Sequence, residues 1–260
     1  MELTYDELIA GKATCIRNRS YFKTKDYVDP FIERMSRYTS DFIFQAKEPD
    51  QVSLTNQGEV ANRDTIWNRV WIQAVLPNEF DNHKRVIGMV YGLDLRKPVV
   101  KIYSGALNMA CLNLCVFDPS FLSVKELEPE MPMNYSDVET FVNREDNMQE
   151  FITRLKNTEV PYNEEIISKN LGDWVRNAIY KSYDTGFNKV KLASSVPVDA
   201  YKLLYEDQES PYYVKPGEST SMFNVYNSFT ECITHDGTKC AKDILNKAEK
   251  TLLLKNILTL

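Results

Sequence analysis

The chain of 260 residues is long enough for one large domain or two small ones, and its 43% hydrophobic and 26% charged residues exclude a disordered or low-complexity protein. A formal net charge of −6 excludes a protein that coats nucleic acid by bulk positive charge, yet the charge is unevenly placed. Lys125 to Glu165 sums to −7, whereas Lys12 to Lys25 holds five basic residues and no acid, and Lys84 to Lys101 holds five against Asp94 alone.

Along the chain, Leu3, Leu8 and Ile9 have near-helical spacing in the first ten residues. Asp29 followed by Pro30 is a helix-start signal, and Phe31, Met35 and Tyr38 predict a helix over about Pro30 to Thr39. A short strand is predicted at Phe42 to Ala46, then a polar excursion from Gln51 to Asp64. Thr65 to Leu76 alternates as a strand that Pro77 and Asn78 should end, and Arg85 to Leu93 and Val99 to Tyr103 give two more. Ala106 to Val116 spaces Leu107, Ala110, Cys111 and Leu114 as a buried helix would.

The second half is predicted to be helical. Ser136 with Glu139 forms a capping-box signature for a helix to about Asn157, followed by helices over Asn163 to Tyr183, Pro197 to Tyr205 and Ser219 to Thr234. Thr238 is the expected N-cap of a last helix reaching about Ile257. The expected fold is therefore α+β, an antiparallel β-sheet with a β-β-β-α core in residues 1–118, packed as one compact unit with a mainly helical region in residues 119–260.

Five Cys, an odd number, and the lack of a basic stretch leading into an apolar one at the start argue against a secreted disulfide framework and for a reducing cytoplasm. No apolar run approaches the ~20 residues of a membrane span, so no membrane partner is expected. Dinucleotide, Walker, nucleophile-elbow and zincin signatures are absent, which lowers the expectation of those chemistries. Cys111, Cys115, Cys232, Cys240 and His235 lack the spacing of a zinc knuckle, so neither metal nor other cofactor is expected, and no residue is assigned a catalytic role. His83 reads as a solvated turn residue.

One local pattern stands out. Trp67, Arg69, Trp71 and Gln73 share one face of the Thr65 to Leu76 strand, and Lys101 and Tyr103 share a face of theirs. Alternating aromatic and basic residues on an open face could stack unpaired bases, at ~1–3 kcal/mol per base, while Arg17, Arg19, Lys23, Lys84 and Arg85 hold phosphates. The other reading is a face covered by helices, with Arg69 paired to an acid. Polar residues along Ser219 to His235 form either a wet surface or a buried network joining that helix to the sheet.

Three segments carry a family resemblance: Asn62 to Trp71, Ser104 to Asn113 and Val225 to His235. Cys111 and Asn113 match a Cys followed by Asn after the central strands, and Asn227, Thr230, Glu231 and His235 match an Asn-x-x-Thr-Glu-x-x-x-His helix. From about Asp41 onward the chain resembles the phage- and plasmid-borne family called domain of unknown function 932. It departs from that family at Leu93 to Lys97, where a Ser-His-Asp-Gly-Ser stretch is often found. The resemblance implies a mobile-element protein in a bacterial host cytoplasm and brings no established activity.

Together with a core like that of single-strand annealing proteins, these features lead to the expectation of a non-enzymatic binder of single-stranded DNA, an annealing or recombination accessory assembling as a homo-oligomer. The alternative is an acidic protein-binding factor, using the −7 segment on a host or phage protein as a defence inhibitor or assembly factor, with no nucleic-acid activity. An enzyme acting through His235, Glu231 and Cys232 ranks below both.

Overall fold

The computed structural model describes residues 2–14, 21–47, 66–67, 69–94, 97–110, 113–126, 135–144, 147–234 and 244–260. The fold is α+β, built on a seven-stranded antiparallel sheet with eight α-helices among the described residues. Two compact units interleave along the chain rather than meeting at one boundary. The first comprises Met1–Glu79, Lys84–Ser104 and Ser120–Arg144, and the second Phe80–His83, Gly105–Pro119 and Glu145–Leu260.

The main sheet contains β1 (Glu2–Leu3), β4 (Phe42–Lys47), β6 (Arg69–Phe80), β7 (His83–Asp94), β8 (Lys97–Asn108) and β10 (Leu122–Glu126) in that spatial order, with β9 (Leu114–Cys115) also on β8. A smaller sheet joins β2 (Lys12–Thr14) to β3 (Tyr21–Lys23) antiparallel and to β5 (Ile66–Trp67) parallel. Pro77 does not end its strand; β6 runs on to Phe80 before turning into β7. The turn residues Asp81 and Asn82 have φ of 53° and 61°, the left-handed pair that matches the twist of a two-residue hairpin.

In the first unit, α1 (Tyr5–Ala10) opens on a capping box in which Thr4 and Glu7 satisfy each other's backbone N–H groups. Helix α2 spans Thr24–Met35, six residues upstream of the predicted start, with Pro30 inside it. The buried stripe Thr24, Tyr27, Val28, Phe31 and Met35 explains the difference, because burial of that face outweighs the one hydrogen bond proline removes. Behind it lie Val70, Ile72, Ala74, Ile87, Met89 and Tyr91 of β6 and β7.

Helix α3 (Ser136–Asn143) and helix α4 (Met148–Asn157) replace the single predicted helix. Ser136 is the first helical residue rather than the cap, and Glu139 pairs with Arg34 at 3.0 Å instead of closing a capping box.

The segment Ala106 to Val116, predicted as helix, is a strand hairpin: β8 extends to Asn108, and Ala106 and Leu107 pair with Cys115 and Leu114 of β9. Gly105 permits this closeness, since a Cβ there would fall 2.6 Å from the Cys115 carbonyl oxygen. Apolar residues at helical spacing are also apolar residues on a strand buried on both faces, and here tertiary pairing decides.

The second unit packs α4, α5 (Glu164–Tyr180), α6 (Ser195–Tyr205), α7 (Met222–Thr234) and α8 (Lys247–Ile257) around a core that includes Phe151, Leu155, Trp174, Val225, Phe229 and Leu254. Asn163 caps α5, its Oδ1 accepting from the N–H groups of Glu165 and Ile166 at 2.9 and 3.3 Å. Two two-stranded ribbons tie its loops: β11 (Glu159–Val160) with β14 (Thr220–Ser221), and β12 (Tyr183–Asp184) with β13 (Lys189–Val190). Thr238 lies outside the described residues.

Candidate functional site

The strand faces that suggested an open aromatic platform are closed. Trp67 is 3% exposed, Trp71 5%, Tyr103 1%, Lys101 0% and Arg85 8%, so none offers a surface to a base or a phosphate. The Trp67 indole N–H donates to the Leu8 carbonyl at 2.9 Å. Trp71 Nε1 and Gln73 Nε2 both donate to the Tyr103 hydroxyl, the second at 3.1 Å. Gly88 makes room for that ring, because a Cβ there would lie 2.0 Å from Tyr103 Cζ. Burial of Tyr103 pushes its phenol well above the usual range, so it stays a neutral hydroxyl.

Arg85 has a structural duty. Its guanidinium donates to the carbonyls of Phe141, Val142 and Arg144, at 3.3 Å for Val142 and 3.0 Å for Arg144, satisfying the orphan carbonyls at the end of α3. A positive group at a helix C-terminus also complements its dipole. Arg69 and Lys84 are half-buried. The correction to the sequence reading is therefore specific: Trp67, Trp71, Tyr103, Lys101 and Arg85 are buried, and the bonds of Arg85, Trp67, Trp71 and Tyr103 hold the first unit together. The alternation could not reveal this, since β6 is buried on both faces from Val70 to Leu76.

The basic segment near the start is arranged differently. Lys12 pairs with Lys23, Ala13 with Phe22 and Thr14 with Tyr21 across the β2–β3 hairpin. The register thus places two lysine positions directly opposite each other in the pairing. Arg17 and Arg19 fall between these strands in sequence and lie outside the described residues. Lys25, at the start of α2, pairs with Asp29 at 3.8 Å.

In the second unit, the polar residues of the resemblance do converge. Asn113, just before β9, donates from Nδ2 to the Tyr212 hydroxyl at 3.3 Å and to the Asn227 carbonyl at 3.4 Å. The Thr234 hydroxyl shares its one proton between Asn113 Oδ1 at 2.9 Å and the Thr230 carbonyl at 2.6 Å. Thr230 in turn donates to the Asn227 carbonyl at 3.0 Å, and the Tyr212 hydroxyl donates to Glu231 at 3.0 Å. Lys247 reaches back to the Thr234 carbonyl at 2.6 Å. This is the buried version of the α7 network, linking the β8–β9 hairpin to α7 and α8. His235 and Cys111 lie outside the described residues.

Three partners in this network escaped the sequence reading. Thr234 follows Thr230 by four and Asn227 by seven, so the helical stripe through Asn227 identifies it. Tyr212 and Lys247 come from distant segments and leave no local signal.

Beside the network is a cavity of about 10 Å³, on the order of one water molecule, lined by His83, Asn108, Cys115, Phe223, Tyr226 and Asn227 among others. His83 is buried, at 4% exposure, rather than solvated. Its Nδ1 donates to the Asp81 carbonyl at 2.8 Å, which leaves the lone pair on Nε2. Burial holds its pKa below the usual histidine range, against the opposing pull of the Asp81 carbonyl, so the ring is neutral. Cys115 Sγ lies 3.0 Å from the Tyr226 hydroxyl, and burial pushes the thiol up to about 12, which keeps it protonated and unreactive. The site can hold a water between a histidine acceptor and amide groups; it has no thiolate nucleophile.

Among the described residues, no three His, Cys, Asp or Glu side chains converge on a point where a metal could sit. No helix among them is long and apolar enough to cross a membrane. No family, curated protein or solved structure matches the chain.

Proposed function

We propose that the protein binds single-stranded DNA through the basic β2–β3 hairpin, as a non-enzymatic annealing or recombination accessory of a phage or mobile element in the bacterial host cytoplasm. The observation that carries this reading is the register that sets Lys12 opposite Lys23 in a segment with five basic residues and no acid. A short segment with five cations and no acid carries a positive local potential, which a phosphate backbone complements. Tyr21 and Phe22, next to Lys23, supply the residue type on which unpaired bases stack. Relative to the sequence reading, the contact moves from the β6 and β8 faces to this hairpin, and of Lys84, Arg85 and Lys101 half-buried Lys84 remains a candidate.

The test is fluorescence anisotropy of a labelled oligonucleotide, single-stranded against double-stranded, with wild-type protein and with Lys12→Gln/Lys23→Gln. Tighter binding of the single strand, weakened in the variant, is the expected result. Equal binding of both forms, or no binding at low salt, refutes the reading and leaves the acidic segment from Lys125 to Glu165 as the feature of a protein-binding factor.

A further inference from the structure

We infer that helix α5 is a dimerisation surface whose partner is the same helix of a second copy, packed antiparallel about Gly172. The contact is separate from the basic hairpin and requires no nucleic acid.

The helix buries Ile167, Trp174 and Ala178 and turns its other side outward. At about 100° per residue, Glu165, Ser168, Lys169, Gly172, Arg176 and Ile179 fall within one stripe about 100° wide, and all six are exposed. Ile179 and Tyr180 are 49% and 78% exposed, and with Ile166 they make three of the four large apolar side chains left at the surface among the described residues.

Gly172 sits at the centre of this stripe. Glycine is the least favourable residue after proline in a helix interior, and one of its uses is to let another backbone approach closely. A Cβ at Gly172 would meet nothing within 4 Å, and its φ is outside the left-handed region, so neither packing nor backbone conformation within the described chain requires glycine there. The open space admits the backbone of a second molecule.

The charges select a second copy. Gly172 is the midpoint of Glu164–Tyr180, so a two-fold pairing through it overlaps the whole helix. With a rise of 1.5 Å per residue, that pairing sets Glu165 of one copy about 5 Å along the axis from Arg176 of the other, and Lys169 about 3 Å from Asp173. Each half of the seam then holds two bases bracketed by two acids. A parallel pairing instead sets Glu165 against Glu165 and Arg176 against Arg176. Arg176 also pairs with Asp173 of its own helix at 3.2 Å, and a guanidinium with five N–H donors takes a second carboxylate while keeping the first. The same arrangement lays Ile179 over Ser168 and Tyr180 beside Ile166 at each end. A two-fold contact of this kind closes at two copies, and one helix per copy makes a small interface, with an expected Kd on the order of 10 μM.

Sedimentation velocity of the full chain without nucleic acid, from about 1 to 300 μM, tests this. Wild type should pass from one chain mass to two. Gly172→Leu, an exposed change that favours the helix, should weaken the dimer at least about tenfold. Glu165→Arg and Arg176→Glu should each weaken it by a similar factor alone, and mixing those two variants should restore it, since both halves of the mixed seam then pair an arginine with a glutamate. A wild type that keeps one chain mass at about 300 μM overturns the proposal. So does a Gly172→Leu protein that dimerises like wild type, or a mixture no more dimeric than its components. With no DNA present, these outcomes are independent of the hairpin's anisotropy result.

Discussion

Replacing Tyr103 by Phe removes one oxygen from the core of the first unit and nothing else. That oxygen accepts from both Trp71 Nε1 and Gln73 Nε2, and all three side chains are buried. Removing an acceptor from a buried donor costs about 1–3 kcal/mol, so the two together predict a loss of about 2–6 kcal/mol. The ring still fills the space beside Gly88, so no cavity term is added. Urea unfolding followed by tryptophan fluorescence reads the change as a lower midpoint at constant slope. Gln73→Leu alone should cost less, and in a double-mutant cycle the Tyr103→Phe penalty should shrink once Gln73 no longer needs an acceptor. A Tyr103→Phe protein as stable as wild type would refute the reasoning, and with it the assignment of Trp71 as a core residue rather than an open stacking surface.

Other consequences are equally direct. His83 has a lowered pKa in the folded state, so it contributes stability above the ordinary histidine value of about 6.5 that is lost as pH falls through that value toward the folded one. The slope is at most about 1.4 kcal/mol per pH unit, and His83→Asn, compared by urea midpoints at pH 7.5 and 5.5, should lose less stability on acidification than wild type. Asn113→Ala removes the junction of Tyr212, Asn227 and Thr234 and should destabilise by about 2–4 kcal/mol in thermal or urea unfolding; a loss under about 0.5 kcal/mol would show the network to be slack. Gly105→Ala drives a methyl against the Cys115 backbone, which cannot swing aside as a side chain can, and should cost about 1–3 kcal/mol by the same assay.

The α+β class and most second-half helices were legible because their signals are local: the Asn163 cap, the apolar stripes, the turn residues. Three features were not. Ala106 to Val116 carries an apolar spacing shared by a buried helix and a doubly buried strand, and only its pairing with β8 separates them. Pro77 ends a strand by rule, yet β6 passes through it on the way to a hairpin turn. The alternation around Trp71 gave two faces correctly but not their exposure, which depends on tertiary partners such as Tyr103 and, for Arg85, the end of α3. The candidate network fared better, since Asn113, Asn227, Thr230 and Glu231 were all named from sequence and stand within a connected set of hydrogen bonds.

The central claim is that a short basic hairpin, not an aromatic sheet face, meets nucleic acid. The most direct measurement is the salt dependence of single-strand affinity for wild type and for a variant with Lys12, Arg17, Arg19 and Lys23 all changed to Gln. Each phosphate-bound cation contributes about 0.7 to the slope of log K against log salt on a single strand, so the slope should fall by about 3 in the variant. Unchanged slope and affinity in a folded variant would contradict the account.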